Sequence, residues 1–247
     1  MPILLLIRHA TNDFVKTGRL PGQSHGIHLN DEGRAQAEAL GKLLEKRKIH
    51  AVYASHLERA IETALYVAQP HGLPINIRPA LADIDNGDFT GRIIKELGED
   101  EKTKDLWKVV IENPAEAVFP NGEGMLDMQK RFVAALEAIT VAHPDLPTED
   151  GRRATGDDQS LKPANHQTPL PHLPPTSDQP PPSIPQTIAI VAHSDVIKAA
   201  LAHYLGMPFN LFQRLGTSPA SISTLMLSTD EKTGKQHVMV QNVNQSA

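Results

Sequence analysis

Cysteine is missing altogether from the 247 residues. That removes disulfides, thiolate metal ligands and a thiol nucleophile, and leaves the redox compartment unspecified. Aromatic residues make up only 4% of the chain while apolar residues reach 40%, so a core has to be assembled from Leu, Ile, Val and Ala. There is no surplus of positive charge. The formal net charge of −5 argues against nucleic acid and anionic membrane as main partners, although a few arginines can still make a local positive pocket. No apolar run is long enough to cross a bilayer. The N-terminal "PILLLI" is too short for a span and lacks the cleavage region of a signal peptide, so a cytoplasmic location is expected. GxxxxGK[ST], GxGxxG and HExxH stretches are absent, which removes sequence support from nucleotide-motor, dinucleotide and metal readings.

What is present alternates. Residues 3–7 form an apolar run typical of a strand buried on both faces. A helical pattern follows over 30–47, with Ala37, Leu40, Leu43 and Leu44 on one face and Asn30 or Asp31 as cap. Residues 50–55 read as a second strand, 57–69 as a helix stopped by Pro70 and Gly72, and 73–79 as a short third strand. Residues 80–91 are loop-like, and 92–112 and 123–142 read as two further helices. From Pro144 to Gln186 the composition changes: this stretch holds 11 of the 20 prolines and few large apolar residues. Such a segment buries too little surface to offset its ordering entropy, and is expected to be a disordered insertion in one domain spanning 1–247. Order is expected to return with a strand over 187–195, a helix over 196–206 and a closing hairpin, 220–228 with 235–243. Strands alternating with helices predict a three-layer α/β/α sandwich with a mostly parallel sheet, whose ligands sit outside the carboxyl ends of the strands. Arg8 and His9 fall at one such end, and His193 at another.

A single histidine after a strand is most often structural. Two at equivalent strand ends, one preceded by arginine, point further. Arg59 adds a cation near the start of the helix after the second strand. The motifs "LIRHATNDF" (6–14), "HLNDEGRAQAEALG" (28–41), "ASHLERAIETA" (54–64), "LADIDNGDFTG" (81–91), "FPNGEG" (119–124) and "VAHSDVIKAAL" (191–201) stand in one order along the chain. In that order and with those gaps the sequence resembles the histidine phosphatase superfamily, the phosphoglycerate-mutase-like proteins. It is most similar to a bacterial phosphatase-like branch.

The resemblance implies a phosphohistidine mechanism on a small phosphorylated metabolite, without metal or other cofactor. His9 would be the nucleophile. Arg8 and Arg59 would hold the equatorial phosphoryl oxygens, since the guanidinium fork matches phosphate geometry. His193 would be a further donor at a helix N-terminus. The family commonly has Glu where this chain has Asp83, which is the first choice for general acid; Asp195 is its rival and Asp85 a third. Mutase-type members usually carry Asn at the position of Val15; here Thr11 or Asn12 would supply the missing contact. A phosphatase is therefore favoured over a mutase-type phosphotransferase, with a non-catalytic phosphate-binding scaffold as the other alternative. "GQSHG" (22–26) fits a G-x-S-x-G nucleophile elbow on Ser24, but that elbow requires a strand before it and a helix after it, and both flanks read as loop. His25 and His28 read as solvent-facing loop histidines. A homo-oligomer is compatible with the sequence, which does not fix the oligomeric state.

Overall fold

The computed structural model describes residues 1–147, 183–230 and 233–246. In chain order the strands are β1 (Ile3–Arg8), β2 (Ala51–Ala54), β3 (Ile75–Ile77), β4 (Leu146–Pro147), β5 (Ser183–Ile184), β6 (Thr187–Ala192), β7 (Ile222–Thr229) and β8 (Gln236–Gln245). The helices are α1 (Asp13–Thr17), α2 (Asp31–Leu44), α3 (Glu58–Ala68), α4 (Ile94–Leu97), α5 (Lys104–Glu112), α6 (Met125–Ala142) and α7 (Ser194–Tyr204). Six strands form one sheet in the order β3-β2-β6-β1-β7-β8. The first four are mutually parallel, and β7 and β8 close the sheet as an antiparallel pair.

The period-2 rule for strands explains why this sheet is sandwiched. Along β1, Leu4 and Leu6 enter one core together with Ile188 and Ile190 of β6, packed against Met128, Phe132 and Leu136 of α6 and Ile197 and Leu201 of α7. Leu5 and Ile7 enter the opposite core with Ala189 and Val191, against Ala37, Leu40 and Leu44 of α2 and Ala60, Ala64 and Val67 of α3. The small β6 residues Ala189 and Val191 match the alanine-rich face of α3, which suits a core short of aromatics. Helix starts follow capping chemistry. Asn30 accepts from the Gly33 backbone N–H at 2.9 Å, and Asn12 from that of Val15 at 2.9 Å. Gly33 also permits a close approach, because a Cβ there would stand 1.9 Å from the Thr11 carbonyl oxygen. Helix α2 is thereby seated directly behind the loop that follows β1.

Two expectations need correction. Residues 92–112 do not form one helix. Helix α4 ends at Gly98, and the chain turns before Thr103 starts α5. The cause is local: the Asp100 carboxylate accepts the Lys102 backbone N–H at 2.8 Å and pairs with Arg92, holding a turn against helical continuation. The ends of the proline-rich stretch are also paired, since β4 and β5 form an antiparallel ribbon and Gln186 donates to the Pro144 carbonyl at 2.6 Å. Residues 148–182, where the expectation of disorder was centred, lie outside the described residues.

Candidate active site

The parallel register of β1 and β6 pairs Arg8 with Ala192. His9 and His193 are therefore the next residues of two adjacent strands, and the ladder continues through the His9 N–H to the Ala192 carbonyl at 2.9 Å. Their rings meet edge to face, with centroids 5.1 Å apart. Strand β2 lies on the far side of β6 and leads through Leu57 into α3, whose first turn carries Arg59. Thr63, one turn later, accepts from the Ala10 N–H at 3.0 Å and donates to the Arg59 carbonyl at 2.8 Å, tying α3 to the loop after His9. The β3 exit brings Asp83 over the same strand ends. Its Oδ2 lies 3.5 Å from Arg59 Nη2 and 3.6 Å from His193 Nδ1. The fold thus brings Arg8, His9, Asp83, Arg59 and His193 together at these strand ends.

Burial sets the electrostatics. His9 is 2% exposed, and His193 and Arg59 not at all. Desolvation, then the positive charges of Arg59 and Arg8, hold the His9 imidazole well below the ordinary histidine range. Burial, then Arg59 and His9, does the same to His193. Both rings are neutral near pH 7. His9 Nδ1 lies 2.7 Å from the Ala10 carbonyl; that oxygen can only accept, so Nδ1 carries the proton and Nε2 keeps its lone pair. Burial pushes the Asp83 carboxyl up to about 6, against the pull of Arg59, with help from the negative charge of Asp195.

The cradle is under-satisfied. Nε of Arg8, Nε of Arg59 and both ring nitrogens of His193 are buried without a hydrogen-bond partner. A buried donor left unpaired costs about 1–3 kcal/mol, so this cluster is poised for an anion with several acceptor oxygens. The remaining guanidinium bonds fix the fork: Arg8 Nη1 donates to Thr217 O at 2.6 Å, and Arg59 Nη2 to Gly22 O at 2.7 Å. Among the described residues, no three His, Asp or Glu side chains gather so as to hold a metal ion.

The other sequence candidates are placed elsewhere or tied. Asp195 lines the same cleft but is bonded at 2.7 Å to Lys198. Asp85 accepts the Gly87 N–H at 2.9 Å as a turn residue. Asn12 Oδ1 is consumed as the α1 cap, while its Nδ2 is buried and unpaired; the Thr11 N–H goes to Gln36. Arg8, His9, Asp83 and Val15 line the cleft; Thr11 and Asn12 do not, and neither do the fully buried Arg59 and His193. Ser24 sits in a loop without the flanking strand and helix of an elbow, and its carbonyl accepts from Arg59 at 3.4 Å. His25 and His28 are exposed and face Glu58 and Glu62.

Sequence reasoning passed over Arg131. From α6 it grips Glu123 with two bonds of 2.8 Å and reaches the carbonyls of Ala80, Ala82 and Asp83, fixing the segment that carries Asp83. A lone arginine in an amphipathic helix gives no signal of this. The spacing of Glu123 and Arg131 becomes meaningful only once the loop is folded over them.

The sequence profile of the histidine phosphatase superfamily (branch 1) matches residues 4–146 and 183–239. Phosphoserine phosphatase 1 of Hydrogenobacter thermophilus is 23% identical over 222 residues, 90% of this chain and 85% of that protein. A glucosyl-3-phosphoglycerate phosphatase of Mycolicibacterium vanbaalenii is 25% identical, covering 86% of this chain and 78% of its own. A probable phosphoglycerate mutase of Erwinia tasmaniensis is 29% identical over 54% of this chain and 60% of its own. Among solved structures, a mycobacterial glucosyl-3-phosphoglycerate phosphatase in complex with VO3 superposes over the whole of both chains with a TM-score of 0.73 at 23% identity.

Proposed function

The chain belongs to the histidine phosphatase superfamily, and from that premise we propose that it is a phosphatase that hydrolyses a small phosphomonoester through a phosphohistidine on His9. The observation that carries the proposal is a neutral His9 ring set 5.1 Å from that of His193, among buried arginine and imidazole donors that lack acceptors. A dianionic ester satisfies those donors, and its negative charge further favours protonated Asp83. The Nε2 lone pair of His9 then forms the P–N bond as the P–O bond to the alcohol breaks, and Asp83 gives its proton to the departing oxygen. In the second step ionised Asp83 takes a proton from water. The resulting hydroxide oxygen bonds to phosphorus, the P–N bond breaks, and inorganic phosphate leaves with His9 neutral again. Arg8, Arg59 and His193 stabilise the equatorial oxygens throughout.

Brief reaction with a 32P-labelled ester followed by denaturation is the test. The unaltered protein should retain acid-labile, alkali-stable phosphate, and His9→Ala should lose both that label and turnover. Turnover surviving in His9→Ala would overturn the assignment.

A further inference from the structure

The cleft that opens outward from His9 and Asp83 has a volume of about 430 Å³, within the range of small-molecule sites. One wall is apolar. Val15, Leu20 and Pro21 come from the segment after β1, Ile94 from α4, and Trp107 and Ile111 from one face of α5 at i, i+4 spacing. Ile94 and Ile111 are 39% and 55% exposed. The facing wall has polar residues, but they are engaged with one another. Lys198 is bonded to Asp195 at 2.7 Å and to Gln213 at 2.5 Å, and Ser194 to Thr217 at 2.8 Å. Arg19, at the exposed rim, donates to Gly91 O at 2.9 Å. Beyond the phosphate end, the cleft therefore offers apolar contact area on one side and, on the other, polar groups largely tied to one another.

We propose that the alcohol portion of the substrate is apolar, an alkyl or aryl group laid on Trp107 and Ile111, and not a polyol or an amino acid. This rests on the phosphatase reading above and adds the substrate class to it. A hydroxylated or zwitterionic alcohol laid on the apolar wall would lose hydration there without recovering hydrogen bonds from it, which lowers its affinity. An alkyl chain gains with every methylene covered.

The n-alkyl phosphates from ethyl to hexyl isolate this effect, because their leaving groups are chemically equivalent while their apolar length grows. In the unaltered protein kcat/KM should rise with chain length, by up to about four-fold per buried methylene, carried mostly in KM, and hexyl phosphate should surpass phosphoserine and glucose 6-phosphate. Trp107→Ala, and independently Ile111→Ser at its exposed position, should flatten the rise. A flat series with phosphoserine or glucose 6-phosphate preferred would overturn the substrate class and leave the phosphatase standing. Phosphate release from none of these esters would overturn both.

Discussion

Asp83→Asn removes one proton-donating site and leaves the side-chain shape almost unchanged. The carboxyl titrates near 6 in the folded protein against an ordinary 3.8, about two units, and each unit is worth about 1.36 kcal/mol. The folded state holds the proton more tightly than the unfolded chain. Stability from this group is therefore full below pH 3.8 and is lost as pH rises through about 6. Asparagine has no such loss. Above pH 7 the variant should be more stable by up to about 3 kcal/mol, roughly 6–12 °C in melting temperature for a chain of this size, while below pH 4 the two proteins should melt together. The same substitution should lower kcat for alkyl esters by about 10²–10⁴, since the alkoxide then leaves without a proton. Urea unfolding at pH 4 and pH 7.5, with phosphate release at pH 7.5, measures both. If Asp83→Asn is less stable at pH 7.5, or the stability gap is the same at both pH values, burial is not what raises the carboxyl. If alkyl ester turnover is unchanged, Asp83 is not the acid.

Asp195→Asn should depress kcat for poor leaving groups less than Asp83→Asn does; the opposite ranking would move the acid role to Asp195. Arg131→Met should strand the half-buried Glu123 and release the carbonyls of 80–83, costing about 3 kcal/mol and lowering kcat; an unchanged urea midpoint would count against its anchoring role. Gly33→Ala drives a Cβ into the Thr11 carbonyl and should destabilise by at least about 2 kcal/mol, read by thermal melting, whereas no loss would show that α2 can retreat. The ribbon of β4 and β5 brings the two ends of 148–182 together, so we expect replacement by a short glycine-serine linker to preserve melting and turnover. A collapsed transition would refute its reading as an accessory insertion.

The parts visible in the sequence are those governed by local pattern. β1 and β6 stand out because both of their faces are buried, and α2 and α3 because one face of each is. The position of Arg8, His9 and His193 at strand ends follows from those boundaries. What the pattern does not contain is register: nothing local says that Ala192 lies opposite Arg8, yet that pairing makes the two imidazoles neighbours. The sequence leaves the choice among Asp83, Asp85 and Asp195 open, because the partners of each carboxylate are set by the fold. Lys198 pairs with Asp195, the Gly87 amide donates to Asp85, and Asp83 accepts from the Ile84 amide and faces Arg59 and His193. The break between α4 and α5 falls in the polar run 98–105, where no apolar residue reports a helical phase and the turn at Asp100 decides the path.

The rung-for-rung pairing of β1 with β6 also couples two distant stretches of the chain in length. Adding or deleting one residue inside either run would carry its histidine past its mate and turn it to the other side of the sheet. Length can change freely only where no rung is counted, and residues 148–182 fall in sequence between β4 and β5, before the first rung of β6 at Thr187. Growth at that end leaves the spacing of the two imidazoles untouched.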